Sequence, residues 1–250
     1  MDLDLAALAD LKQPATFDVQ GKHALALPPG WTVKTPDGLE RKRQTVPSMS
    51  FNTLTGLKDY LAHNVDELEV AKLMLHVTTE SHVGLVSRLA AQYDAGIFSR
   101  DYFAAARVEP VLPKDMWGYY MPSELAIIRL QTLFEPTPDR ERLLQLLAGV
   151  SDNMVRQAND DGLAQEVVVR RGVTSAKREL VPNPNRLKPY RTFLEVEQPE
   201  SPFLIRLRPC DGEPPEVALF ECDGGRWKIE AAARVQAWLR ANIEGVAVLQ

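Results

Sequence analysis

Arg191-Thr-Phe-Leu-Glu-Val-Glu197, Phe203-Leu-Ile-Arg-Leu-Arg208 and Glu216-Val-Ala-Leu-Phe-Glu221 decide the fold of this chain. Each run alternates apolar and polar residues, the period-2 pattern of a strand with one buried and one solvated face. Pro182-Asn-Pro-Asn185, Gln198-Pro-Glu-Ser-Pro202 and Asp211-Gly-Glu-Pro-Pro215 punctuate them with turns. Short alternating runs between tight turns predict an antiparallel sheet. From Ile229 to Ile243 the period changes, and Ala232, Val235, Trp238, Leu239 and Ile243 fall on one face of a closing helix. Trp238 is expected to pack against that C-terminal sheet.

The same signals extend upstream. Lys72-Leu-Met-Leu-His-Val-Thr78 and His82-Val-Gly-Leu-Val-Ser-Arg88 predict a hairpin around Thr79–Ser81, because both arms alternate and are rich in branched residues. Phe17–Val19, His23–Leu27 and Gln165–Arg171 read as further strands. Arg107–Leu112 reads as an edge strand, since Pro110 cannot donate to a sheet ladder. The middle of the chain is helical. Pro122 and Ser123 open a helix whose apolar face carries Leu125, Ile128, Leu130 and Leu133. Thr137-Pro138-Asp139 supplies a cap, a first-turn proline and a first-turn acid for the next, which carries Leu143, Leu144, Leu146 and Leu147. Shorter helices are expected at Leu3–Leu11, after Ser50 or Asn52 through Leu57, Tyr60 and Leu61, and from Ser151.

Strands, helices, strands and a last helix, without regular strand–helix–strand alternation, predict an α+β fold. It has antiparallel sheets, a central helical segment and a closing C-terminal helix. Residues 1–250 form a single α+β unit in this reading, with a subdivision into 1–159, a mixed region, and 160–250, a sheet plus helix, as the alternative.

Composition narrows the function classes. Hydrophobic residues at 45% and charged residues at 25% are ordinary for a soluble globular protein. A net charge of −5 argues against nucleic acid as a general partner, because that binding needs a basic surface. Arg41, Lys42, Arg43, Arg170, Arg171, Lys177 and Arg178, with Trp31, Tyr190 and Trp227, are the residues available for a local basic patch. No apolar run approaches the ~20 residues that cross a bilayer, so no membrane span is expected. Met1-Asp-Leu-Asp4 is acidic and no basic segment precedes an apolar one, so a cytoplasmic location is expected. In that compartment Cys210 and Cys222 are expected to be free thiols.

Candidate chemistry is sparse. Glu195 and Glu197 share one strand face in this reading, and Glu221 and Asp223 another, so four acids would converge on a divalent cation if the strands adjoin. The same spacing arises on the solvent side of any amphipathic strand. The adopted reading therefore has no metal and no cofactor. His76 and His82, on facing hairpin arms with Glu80 between them, lack the third ligand and support of a metal site. Glu40-Arg41-Lys42 has the Glu-x-Lys order of many nucleases but sits after a turn, Thr35-Pro-Asp-Gly38. Phosphate-binding glycine loops and the serine-hydrolase, thiol-protease and kinase motifs are absent from the sequence. One loop, Val111–Pro122, gathers Met116, Trp117, Tyr119, Tyr120 and Met121. These residue types are enriched at interface centres, which makes the loop a candidate homo-oligomer contact, unless it folds back over the core as a lid.

Leu187-Lys-Pro-Tyr-Arg-Thr-Phe193, Glu195-Val-Glu-Gln-Pro-Glu-Ser201 and Ala218-Leu-Phe-Glu-Cys-Asp-Gly-Gly225 resemble uncharacterised proteins of phages and prophages, of the YfdQ-like family. Val46–Leu61 adds to the resemblance, and Lys72–Asp139 lies outside it. The resemblance implies a phage-encoded protein acting in the bacterial cytoplasm, and it brings no catalytic residues. The leading expectation is a non-enzymatic phage or prophage-type protein that binds a protein partner or self-assembles into a homo-oligomer. The alternative is a metal-dependent nucleic-acid or nucleotide-processing enzyme with Glu195, Glu197, Glu221 and Asp223 as ligands.

Overall fold

A computed structural model of the chain describes residues 15–19, 22–26, 47–88, 90–92, 97–151, 166–171, 175–210 and 213–250. Contacts divide the chain into two units, Met1–Val46 and Pro47–Gln250. In the first, β1 (Ala15–Val19) pairs antiparallel with β2 (Lys22–Ala26), with Phe17 opposite Ala24. The expected helix at Leu3–Leu11, the charged run Glu40–Arg43, the helix from Ser151 and the division at residue 160 fall outside the described residues.

The second unit holds two sheets, each with its own core. The first sheet contains β3 (Met49–Phe51), β4 (Leu73–Thr79), β5 (His82–Ser87), β8 (Tyr102–Arg107) and β15 (Ala247–Leu249), in the order β15-β4-β5-β8-β3. The β4–β5 hairpin turns through Glu80 and Ser81, and β5 pairs antiparallel with β8. Its two edges differ from a simple antiparallel sheet, because β15 runs parallel to β4 and β3 parallel to β8. Two helices cover one face, α1 (Leu54–His63) and α4 (Trp227–Asn242). Leu54, Leu57, Leu75, Leu85, Val235 and Leu239 are fully buried between them. At that burial each contributes about 1.5–3 kcal/mol. Thr53 caps α1 by accepting from Gly56 N–H at 3.0 Å, one position beyond the capping residues the sequence suggested.

The second sheet is antiparallel, in the order β12-β13-β14-β9, from β12 (Asn185–Leu187), β13 (Ser201–Cys210), β14 (Glu213–Glu221) and β9 (Met121–Pro122). The helices α2 (Ser123–Leu133) and α3 (Pro138–Ser151) cover it, and Leu130, Phe134, Leu147, Phe203, Ile205 and Leu219 fill the core. Thr137 Oγ1 accepts from Arg140 N–H at 3.1 Å, so the cap, proline and acid start α3 as their order implies. Two antiparallel ribbons stand apart from both sheets: β6 (Ala90–Gln92) with β7 (Ile97–Ser99), and β10 (Glu166–Arg171) with β11 (Ser175–Leu180).

The α+β class holds, and four details depart from the expected pattern. The closing helix α4 packs on the first sheet and not on the C-terminal one, and Trp238 is partly buried against that first core. Tyr102–Arg107 forms the strand, and Val108–Leu112 is irregular. In α2 the buried stripe is Ala126 and Leu130, while Leu125 and Ile128 are exposed. Arg191–Glu197 is not a strand but a looped crossing segment, because its backbone groups bond to a side chain instead of a neighbouring strand.

Candidate functional site

The crossing segment, residues 188–200, leaves the second sheet after β12 and returns to it at β13. On the way it inserts Phe193 and Val196 into the first core. Gln198, 1% exposed, holds it in shape. Gln198 Oε1 accepts from Arg191 N–H at 2.9 Å and Thr192 N–H at 3.2 Å, and Nε2 donates to Phe193 O and Val196 O. Thr192 Oγ1 donates to Glu80 O in the β4–β5 turn, and Arg234 on α4 donates to Glu197 O at 3.0 Å and Gln198 O at 3.1 Å. Both layers of the unit are therefore fastened through one loop.

Arg191 lies at the centre of the resulting polar junction, with its side chain 2% exposed. It donates to Glu221 and to Ser201 Oγ, and its guanidinium stacks 3.8 Å from the Trp227 ring centroid. Ser201 Oγ donates in turn to Asp223 Oδ2 at 2.7 Å. Asp223 also accepts from Gly225 N–H at 2.8 Å and Trp227 N–H at 3.1 Å, in the turn that starts α4. Burial alone would raise the Asp223 carboxyl. The bonds from Ser201, Gly225 and Trp227, with Arg191 nearby, outweigh it and hold the group below its ordinary value. Gly224 and Gly225, at φ +63 and +84, occupy the left-handed region that this turn requires.

The four acids separate into three places. Glu221 bonds Arg191 directly, and Asp223 is joined to it through Ser201. Glu195 accepts from Thr55 N–H at 3.1 Å at the start of α1. Glu197 is held below the usual carboxylate range by its bond from Lys188 and by Arg234, whose Nη1 is 3.2 Å away. Among the described residues, no group of three or more His, Cys, Asp and Glu side chains is placed to hold a metal ion. His76 lies opposite Gly84 on the hairpin, and His82 Nε2 is 3.1 Å from Tyr102 Oη. Cys210 and Cys222 are free thiols.

The aromatic loop divides into an inner and an outer half. Met116 and Met121 are buried in the second core. Trp117 packs against them, with its ring 4.9 Å from Phe203 and edge-on to Phe134 at 6.1 Å. Gly118 N–H donates to Leu219 O at 2.8 Å, which seats the loop on β14. The next two residues turn outward. Tyr119 is 63% exposed, and Tyr120 lies under the Arg208 guanidinium at 4.2 Å from its centroid. Arg208 in turn bonds Glu216. Arg191 escaped the sequence reading because a buried polar residue at the start of an alternating run looks like its solvent face, and Gln198 because it opens a proline-marked turn, where polar residues are ordinarily solvated. Only Asp223-Gly-Gly carried a local signal, an acid able to accept from the N–H two residues on.

Comparison with protein-family models, curated proteins and solved structures finds no match to the chain.

Proposed function

We propose that the chain is a non-enzymatic protein of phage or prophage type, working in the bacterial cytoplasm through self-assembly into a homo-oligomer. One observation carries the reading. Between Tyr119 and Ile128, four large apolar or aromatic side chains stay exposed: Tyr119, Tyr120, Leu125 and Ile128. They occupy one continuous stretch of the chain, from the outer half of the aromatic loop into the first turns of α2. Exposed apolar side chains gathered in this way favour an interaction site, and tyrosine is enriched at the centres of such sites. Arg208 over Tyr120 holds that ring in place before contact, which lowers the entropy lost on association. The metal-enzyme alternative has less support, because Glu221 and Asp223 already bond to Arg191, Ser201 and backbone N–H groups.

Light scattering of the native chain tests the reading. The expected mass is a multiple of 28.0 kDa, and Tyr119→Asp with Ile128→Asp should lower it while the circular dichroism spectrum stays unchanged. A native mass of 28.0 kDa refutes self-assembly.

A further inference from the structure

We propose that the open face of the five-stranded sheet binds single-stranded nucleic acid, with Tyr102 as the stacking surface and Arg100 and Arg107 as phosphate contacts. This goes beyond the assembly reading and uses a different surface. α1 and α4 cover only the face that carries Leu75, Val83, Leu85, Ala104 and Val248. The opposite face presents Met74 and His76 on β4, Gly84 and Val86 on β5, Tyr102 and Ala105 on β8 and Leu249 on β15, of which Gly84, Val86 and Ala105 are buried. His76, Tyr102 and Leu249 are exposed there, and Tyr102 is 45% accessible.

Tyr102 is held ready for stacking. A Cβ on Gly84 would lie 3.0 Å from Tyr102 Cε2 and 3.4 Å from its Cζ, so the ring rests on the glycine. The bond between Tyr102 Oη and His82 Nε2 at 3.1 Å fixes its rotation. His76 stands directly across from Gly84 on β4. The small residues Gly84 and Ala105 keep the surface beside the ring low.

The strands of this sheet hold one cation, Arg107, and no acid, in a chain with 34 Asp and Glu residues and a net charge of −5. Arg107 closes one end of β8, opposite His82. Arg100 lies just before the other end, where its Nη1 donates to Ser87 O at 3.0 Å and reaches Met74 Sδ at 3.6 Å. The acids at the strand ends are Glu80, in the β4–β5 turn, Asp101 and Glu109. Glu109 sits 3.6 Å from Arg107, with the two side chains 84% and 70% exposed, a pair that water and salt screen heavily. Seven residues of near-extended chain put the two arginines roughly 23 Å apart, with the tyrosine between them. An aromatic surface flanked by cations is how single strands are bound without base-specific readout. A protein-binding sheet face would replace these cations with apolar side chains.

Fluorescence anisotropy with labelled oligonucleotides of about 20 residues, oligo-dT, oligo-U and a DNA duplex, tests the proposal on the full chain. Both single strands, or one of them, should bind more tightly than duplex at low salt. A preference between the two identifies DNA or RNA as the natural ligand. Tyr102→Phe should retain binding, and Tyr102→Leu should weaken it about tenfold or more. Arg107→Ser, at an exposed position, should reduce the slope of log K against log salt by about 0.7 with the fold intact. If Tyr102→Leu fails to fold by circular dichroism, Arg107→Ser decides alone. Absence of binding at low salt, equal affinity for duplex, or binding that Arg107→Ser leaves unchanged in strength and salt slope overturns the proposal. A Tyr102→Leu change that alters particle mass and not oligonucleotide affinity also overturns it, by making this face a contact between chains.

Discussion

Replacing Gln198 by Met removes one amide from the crossing segment while keeping the length of the side chain. Among the described residues, the amide is the sole acceptor for two buried N–H groups, those of Arg191 and Thr192, at 2.9 and 3.2 Å. It also donates to Phe193 O and Val196 O at 3.2 and 3.4 Å. A thioether is a poor acceptor, so both N–H groups are stranded in a site where Gln198 is 1% exposed. Each stranded donor costs about 1–3 kcal/mol. The carbonyl side costs less, because Phe193 O keeps a bond from Val196 N–H at 3.3 Å. The expected total is about 3–4 kcal/mol, a large share of the ~5–15 kcal/mol that holds a typical domain. In urea titrations followed by circular dichroism, the midpoint should fall by about 1 M or more at constant slope. A loss below about 1 kcal/mol would mean that other groups satisfy this backbone, and the account of the crossing segment would be wrong.

Trp117→Asp should cost about 3–5 kcal/mol in thermal denaturation, because its ring fills the space beside Phe134 and Phe203. Tyr119→Asp, at an exposed position, should change stability by no more than about 0.5 kcal/mol, and equal effects would return Trp117 to the surface. Trp238→Ala should cost about 2–3 kcal/mol, less than for a fully buried ring, and an unchanged melting temperature would detach α4 from the first core. Asp223 lies below its ordinary value of 3.8 in the folded chain, so its stabilisation is full above the unfolded pKa and is lost as pH falls through the folded one. Urea midpoints should therefore decline more steeply with acid in the native chain than in Asp223→Asn below about pH 4, and parallel curves would contradict the assignment.

Local rules explain what the sequence disclosed. The β4–β5 and β13–β14 hairpins alternate along their length, and α3 begins at a cap, a proline and an acid that act within one turn. Long-range choices were hidden. Thr192–Glu197 alternates like a strand, but its alternation comes from Phe193 and Val196 entering a core while Leu194 stays 74% exposed. In α2, Leu125 with Ile128 and Ala126 with Leu130 are both plausible stripes, and only the packing of β9 and β14 selects the second. The Val111–Pro122 loop held both a buried and an exposed set of aromatic and methionine side chains, which composition cannot separate. The meeting of Arg191 with Glu221 joins positions with no shared periodicity.

The position of α4 and β15 has a consequence for how the chain is made. The ribosome releases β3, α1, β4, β5 and β8 first, yet their sheet lacks a covering helix and an edge strand until residues 227–249 emerge. The four-stranded sheet, whose strands and helices run from Met121 to Glu221, is complete before then. Folding of this unit thus runs against the order of synthesis, with the earlier-made layer finished last. In the interval the nascent chain leaves Leu57, Leu75 and Leu85 without their full cover, an apolar surface suited to holdase chaperones. Deleting everything after Glu221 would remove one of the two helices and one edge strand that close a core, not a dispensable tail.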